Sequence, residues 1–161
     1  VHEIAVDPSE TAETLSVKLA KLGADAVARD LPRILNGEIA AKPQPEYGVT
    51  LTGLIRKEDG ELDLNQPAAV LERLVRAYCP WPGTSIQIDG MMLKILRIHV
   101  DTRDSDAPIG TRAVVGKFPA IKAGDRFLVL DEVQAPGKKA MAGNAFLGGF
   151  RTWISANGAN S

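Results

Sequence analysis

The residues best suited to chemistry in this sequence are Lys138 and Lys139, directly after Pro136-Gly137. The run Leu128-Val-Leu-Asp-Glu-Val-Gln134 before them reads as a buried strand, so the two lysines fall in a tight loop at its end. Ammonium groups on an exposed loop suit a sugar-phosphate backbone, because they neutralise charge without reading a base edge. Arg56 and Lys57 flank a second turn, Lys57-Glu-Asp59-Gly60, and Arg151 follows the loop closely in sequence. Loops on small barrels often serve structured or single-stranded RNA. The alternative is that these lysines only keep a loop soluble, and the residue pattern leaves both readings open.

Catalytic chemistry finds fewer candidates. His2 and His99 lie far apart, and His99, between Ile98 and Val100 in an alternating run, is expected to face solvent or make a local bond. No nucleophile–base pair or carboxylate pair can be nominated, and no glycine-rich phosphate loop is present. Gly148-Gly149 reads as a turn. The lone cysteine, Cys79, has no disulfide partner and no spaced ligands for a metal, and is read as a buried structural thiol. Trp81, between Pro80 and Pro82, could stack on a base, but the expected role is a packing anchor at a helix end.

The formal net charge is −1, yet its distribution is uneven. Residues 1–46 carry five Lys/Arg against eight Asp/Glu, and from Gly110 onward the balance is seven against three. Phosphate binding needs a local excess of cations rather than a basic total. No apolar run reaches the roughly 20 residues that span a bilayer, and no secretion signal opens the chain. No membrane partner is expected, and a cytoplasmic location is.

The elements that would position these residues fall into two groups. Residues 7–36 predict a helix opened by Asp7-Pro8-Ser9-Glu10, with Leu15, Leu19, Leu22 and Ala26 on one face. Pro32 should kink it or begin a second short helix, and Asn36-Gly37 should stop it. One helix with a strand stub at Ile4 and Val6 cannot bury that stripe alone. Together with Val1 in place of an initiator Met, this suggests an internal fragment. Residues 41–48, with Pro43, Pro45 and Gly48, read as a linker.

After the linker, Val49, Leu51 and Leu54 suggest a short strand. Asn65 should cap a helix with Pro67 in its first turn and Leu71, Leu74, Val75 and Tyr78 as its apolar stripe. Pro80-Trp-Pro-Gly83 should end it. Strands are expected at Ile86–Ile88, along Leu93 to Val100 with a bulge where the alternation slips at Ile95-Leu96, and at 112–115, 118–121 and 126–133. The fold class is therefore α+β, mainly β: a small barrel with one packed helix over residues 49–154, and a disordered tail at 155–161.

In order and spacing, a set of short motifs resembles methionyl-tRNA formyltransferases. They are Lys-Leu-Gly23-Ala within Leu15 to Leu35, Tyr47-Gly-Val49-Thr50, Arg56-Lys-Glu-Asp-Gly60, Leu62-Asp63 and Gln66-Pro-Ala-Ala69. Arg76-Ala77, Pro80-Trp-Pro-Gly83, Glu132-Val-Gln134, Gly137-Lys-Lys139, Met141 and Phe146-Leu147 follow. The resemblance implies an OB-like C-terminal domain over residues 49–154, preceded by residues 1–40 as the last strand and helix of a Rossmann-like formyltransferase domain. It also implies that the catalytic Asn, His and Asp and the site for the donor 10-formyltetrahydrofolate lie outside this chain, which would bind no cofactor and be inactive alone. The partners implied are initiator tRNA and that catalytic domain. The contact carried over by position is the Gly137-Lys138-Lys139 loop; Arg56, Lys57, Arg73, Arg76 and Arg151 are added by charge. Alternatives are a relative acting on a sugar nucleotide or on formyltetrahydrofolate, and a stand-alone RNA- or protein-binding barrel.

Overall fold

The computed structural model describes residues 1–150 and 152–154. The chain divides into two units, Val1–Ile55 and Arg56–Ser161. Arg151 and the expected tail at 155–161 lie outside the described residues.

In the first unit, helix α1 spans Ala12–Leu35. It starts five residues later than the sequence suggests. Glu10 does reach back, accepting from Asp7 N at 3.1 Å, but it closes a separate turn with Glu10 N donating to Asp7 O at 3.0 Å. The helix is capped instead by Thr11, whose hydroxyl accepts from Thr14 N at 3.2 Å while Thr14 Oγ1 accepts from Thr11 N at 3.0 Å. Pro32 neither ends the helix nor starts a second one. It forgoes the bond an N–H there would make to Ala28 O, only Arg33, Ile34 and Leu35 follow it, and Asn36 and Gly37 (φ +73°) close the helix as expected. No residue of α1 is buried, so the stripe of Leu15, Leu19, Leu22 and Ala26 is left without a core. Val49, Leu51 and Leu54 form no strand; no strand pairs with them and all three are exposed.

The second unit begins with a 3-10 turn, Lys57–Gly60, and helix α2, Ala68–Ala77. Five longer strands follow: β1 Thr84–Ile88, β2 Met91–Val100, β3 Arg112–Val115, β4 Phe118–Lys122 and β5 Phe127–Gln134. A two-residue β6, Met141–Ala142, and helix α3, Gly143–Gly149, complete the described part. The strands form one six-stranded antiparallel sheet in the order β1-β2-β5-β4-β3, with β6 added to β5. This is a small OB-like α+β fold, as the strand spacing implies.

Period-2 burial marks β1 and β2, whereas β4 and β5 carry runs of consecutive buried residues. Leu93, Ile95 and Ile98 are buried, while Met92, Lys94, Arg97 and His99 face out. Ile95 and Ile98 can share the inner face because the register with β5 slips on either side of Arg97, the bulge the sequence signals. Asp89 (φ +49°) and Gly90 (φ +76°) make the two-residue turn between β1 and β2, both in the left-handed region that Asp-Gly favours. Leu71 and Val75 of α2 pack onto the inner face with Leu128, Leu130 and Val133. Each fully buried aliphatic side chain there contributes about 1.5–3 kcal/mol.

Side chains bind the ends of the sheet. Arg112, on β3, donates to Asp89 at 2.7 and 3.2 Å, joining the outermost strand to the β1–β2 turn. Trp153 is 1% exposed, donates Nε1–H to Ala113 O at 2.8 Å and lies under the Arg112 guanidinium. Trp153 is thus the aromatic anchor. Trp81, for which that role is expected from sequence, is 61% exposed at the tip of its turn. Trp81→Ala is accordingly expected to change unfolding free energy by less than about 0.5 kcal/mol in a urea titration.

The cap of α2 comes from far away in sequence. Asn65 bonds Asp63 instead of capping, Pro67 takes the cap position, and Ala68 N donates to Asp125 Oδ1 at 2.7 Å. Gly124 N donates to Gln66 O at 3.0 Å, and a Cβ at Gly124 would come within 2.6 Å of Asn65 O. The hydrogen bond from Ala68 N is the main reason the Asp125 carboxyl sits below its ordinary range. A carboxyl depressed on folding stabilises above its unfolded pKa, near 3.9, and loses that contribution as pH falls through its folded value. Asp125→Ala should therefore cost about 1 kcal/mol at pH 7, with the gap from the parent shrinking below about pH 4 in paired urea titrations.

Candidate nucleic-acid interface

The basic loop is built as a braced turn at the end of β5. Lys138 N donates to Ala135 O at 3.0 Å, and Gly137 takes φ +70°. The side chain of Gln134 closes the turn, its Nε2 donating to Lys138 O at 2.8 Å. β6 returns beside β5, with Met141 opposite Val133 and Ala142 opposite Glu132, so the loop is a hairpin tip. Lys138 and Lys139 are exposed there.

Sheet register extends this tip into a surface. Gln134 is opposite Lys94 on β2, Lys94 is opposite Ser85 on β1, and Ser85 bridges in parallel to Glu61 beyond the 3-10 turn. The row Glu61–Ser85–Lys94–Gln134 thus crosses the outer face from a carboxylate to an ammonium and ends under the lysine loop. It floors a groove of about 690 Å³. Lys57 and Glu58 of the 3-10 turn form one wall, and Pro80 and Pro82 form another. Met92 and Leu96 add apolar surface. The walls are held close at Gly60, where a Cβ would overlap the carbonyl oxygen of Gly83.

Four of the seven described arginines of this unit are paired, Arg126 with Asp104 at 3.8 Å among them, and Arg56, Arg73 and Arg97 make no ion pair among the described residues. Arg76 is held by Glu72 at 2.6 and 3.1 Å in the i,i+4 arrangement the sequence suggests, Arg112 by Asp89, and Arg103 by Asp101 at 2.6 Å. Lys57, Lys94, Lys138 and Lys139 make no ion pair among the described residues. Lysines in that state are available to an external anion without first breaking a bond.

Of the site residues named from sequence, Lys138 and Lys139 share the hairpin tip and Lys57 lines the groove. Arg56 precedes the 3-10 turn and is exposed, its backbone N donating to Asp59 at 2.7 Å. Arg73 is exposed on α2 and Arg76 is half-buried against Glu72; neither lines the groove. Arg151 is outside the described residues. Lys94 and Gln134 were not singled out from sequence. Lys94 could have been, since it alternates with Leu93 and Ile95 and so must point outward.

His99 makes the local bond expected of it, Nδ1 to the Asp131 carboxylate at 2.9 and 3.0 Å. His2 is engaged with Asp30 and Arg29. Cys79 is half-buried rather than buried. Among the described residues no cluster of three His, Cys, Asp or Glu side chains could hold a metal, and no helix is long and apolar enough to cross a membrane.

The second unit is an OB-like sheet with a braced cationic hairpin and a mixed groove beside it. Residues 54–151 match the formyl transferase C-terminal domain, and the chain belongs to that family. It is 37% identical over 150 residues to the methionyl-tRNA formyltransferase of Chloroflexus aurantiacus, covering 91% of this chain and 48% of that protein. The Myxococcus xanthus enzyme of the same name is 37% identical over 152 residues, covering 94% and 48%. The chain thus spans about half the length of the curated relatives it matches. Among solved structures, a variant of HypX from Aquifex aeolicus superposes with a TM-score of 0.65 at 16% identity, over 94% of this chain and 28% of that one. HypX in complex with tetrahydrofolic acid superposes at 0.55 and 18% identity, over 78% and 22%. At such identities the likeness is one of fold.

Proposed function

We propose that this chain is the tRNA-holding portion of a methionyl-tRNA formyltransferase, acting in the cytoplasm at the start of protein synthesis. Lys138, Lys139, Lys94 and Lys57 hold the sugar-phosphate backbone of initiator tRNA, with Arg56, Arg73, Arg76 and Arg151 as further basic positions. Residues 1–40 belong to the catalytic domain, 41–48 link the two, and 49–154 form the RNA-binding domain. The formyl group comes from 10-formyltetrahydrofolate bound by the catalytic domain. No residue of this chain is assigned to that donor.

The observation that carries this reading is the set of lysines without ion pairs on and beside one braced hairpin: Lys57, Lys94, Lys138 and Lys139. Phosphate contacts of this kind fix position and register without reading sequence, which suits a module that presents tRNA to chemistry done elsewhere. The names of the relatives favour methionyl-tRNA over a sugar nucleotide.

The test is a titration of initiator tRNA into the chain at 50 and 200 mM salt. With about three to four phosphates neutralised, log K should fall with log salt at a slope of about −2 to −4. A UDP-sugar should not compete. Salt-independent binding, or displacement by the UDP-sugar, would reject the assignment.

A further inference from the structure

We propose that the groove seats one unstacked nucleotide of the bound RNA, with guanine as the base it fits best. The proposal rests on the RNA-holding reading and deepens it by adding a base-reading subsite.

The lining is polarised along the row already described. Glu61 lies at one end, with Glu58 and Lys57 on the adjoining wall; Lys94 and Gln134 lie at the other, beneath the Lys138 loop, where no carboxylate lines the groove. The row covers three strand spacings, about 14 Å, so a nucleotide lying across the strands meets both ends. Lys94 and the lysine loop are the cations with no carboxylate beside them in the groove, so they draw its phosphate, and Lys57, beside Glu58, is left to a neighbouring phosphate of the RNA backbone. That orientation sends the base toward Glu58 and Glu61.

Ionised carboxylates only accept hydrogen bonds. The base that satisfies them best offers two adjacent donors, and guanine does so through N1–H and N2–H2. Cytosine and adenine offer one amino group on that edge, and uracil a single N3–H. Pro80, Pro82, Met92 and Leu96 supply apolar surface for the base plane. Glu58, Glu61, Lys57 and Lys94 form no ion pair with one another or with any other described residue, so these charges face the groove uncommitted. The contact between Gly60 and Gly83 fixes the separation of the walls.

The experiment follows the methyl signals of the methionines by NMR in the full chain, with Met92 assigned through Met92→Leu. GMP, UMP and inorganic phosphate are titrated separately, and then initiator tRNA. GMP should shift the Met92 signal with an affinity at least about fivefold above that of UMP, and inorganic phosphate should leave it in place. The double variant E58Q/E61Q should lose the preference and still bind tRNA through the lysines. Equal response to GMP and UMP, or a Met92 signal unmoved by GMP and by tRNA, overturns the proposal. If tRNA still binds in a Lys138-dependent way in that case, the RNA-holding reading survives without the subsite. A selective GMP response with no tRNA affinity would keep the groove as a guanine-nucleotide site and refute the tRNA reading.

Discussion

Replacing Lys138 and Lys139 together with alanine is expected to lower affinity for initiator tRNA at least about tenfold near 0.1 M salt. The salt slope should become shallower by about 1 to 2, one step for each phosphate no longer neutralised. Both side chains are exposed on the hairpin tip and free of ion pairs among the described residues, so their removal costs the fold little. Nor should it disturb the turn, which is braced by backbone atoms of residue 138 and by Gln134. The thermal midpoint should therefore stay within about 2 °C of the parent. Lys21→Ala on α1, also exposed, is the control and should leave affinity and slope unchanged. A double variant that binds as tightly as the parent at both salts would remove the loop from the interface.

Gly143→Ala is expected to have the largest effect on stability, more than about 4 kcal/mol, with partial loss of the folded form at 37 °C. Gly143 follows β6 and opens α3, and it is buried against β5. An added Cβ would overlap the carbonyl oxygen of Leu130 and come within 2.9 Å of Pro119 Cδ. Backbone on the central strand cannot yield cheaply, so α3 and β6 must move instead. That withdraws Phe146 from the core and releases one arm of the hairpin carrying Lys138 and Lys139. Stability and tRNA affinity should fall together. Gly148→Ala, on the same helix but with nothing within 4 Å of the added Cβ, should be neutral or stabilising by up to about 1 kcal/mol. Urea titrations of both variants check the contrast; similar stabilities would mean that α3 is not seated as described.

Local signals in the sequence carry much of this fold. Alternation places β1 and β2, a short apolar run places β5, Asp89-Gly90 marks the tight turn, and the phase slip near Leu96 marks the bulge, because each depends on residues a few positions apart. The stripe Leu71–Leu74–Val75–Tyr78 does the same for α2. Signals that depend on distant partners stay hidden. Asp125 caps a helix 57 residues upstream, and nothing near Asn65 foretells that its side chain will turn to Asp63 instead. Trp81 carries the stronger local cue, two flanking prolines, yet Trp153 holds the buried position because it meets Ala113 and Arg112 only after the sheet forms.

The interface divides in the same way. Lys138 and Lys139 are legible from a strand ending in Pro-Gly. Lys94 and Gln134 become part of the surface only through the register of β2 against β5, and Glu61 only through its bridge to Ser85. These pairings span from 24 to 40 positions, a reach that no periodicity in a single sequence encodes.

One face, formed by Lys57, Lys94 and the Lys138–Lys139 tip, is expected to receive the RNA backbone. Amine-reactive labelling of the chain with and without initiator tRNA, read by peptide mass spectrometry, tests it most directly. Lys57, Lys94, Lys138 and Lys139 should lose reactivity together as tRNA saturates the chain, while Lys21 on α1 keeps its own. Protection confined to other lysines, or none at all under conditions where tRNA is bound, would contradict the account.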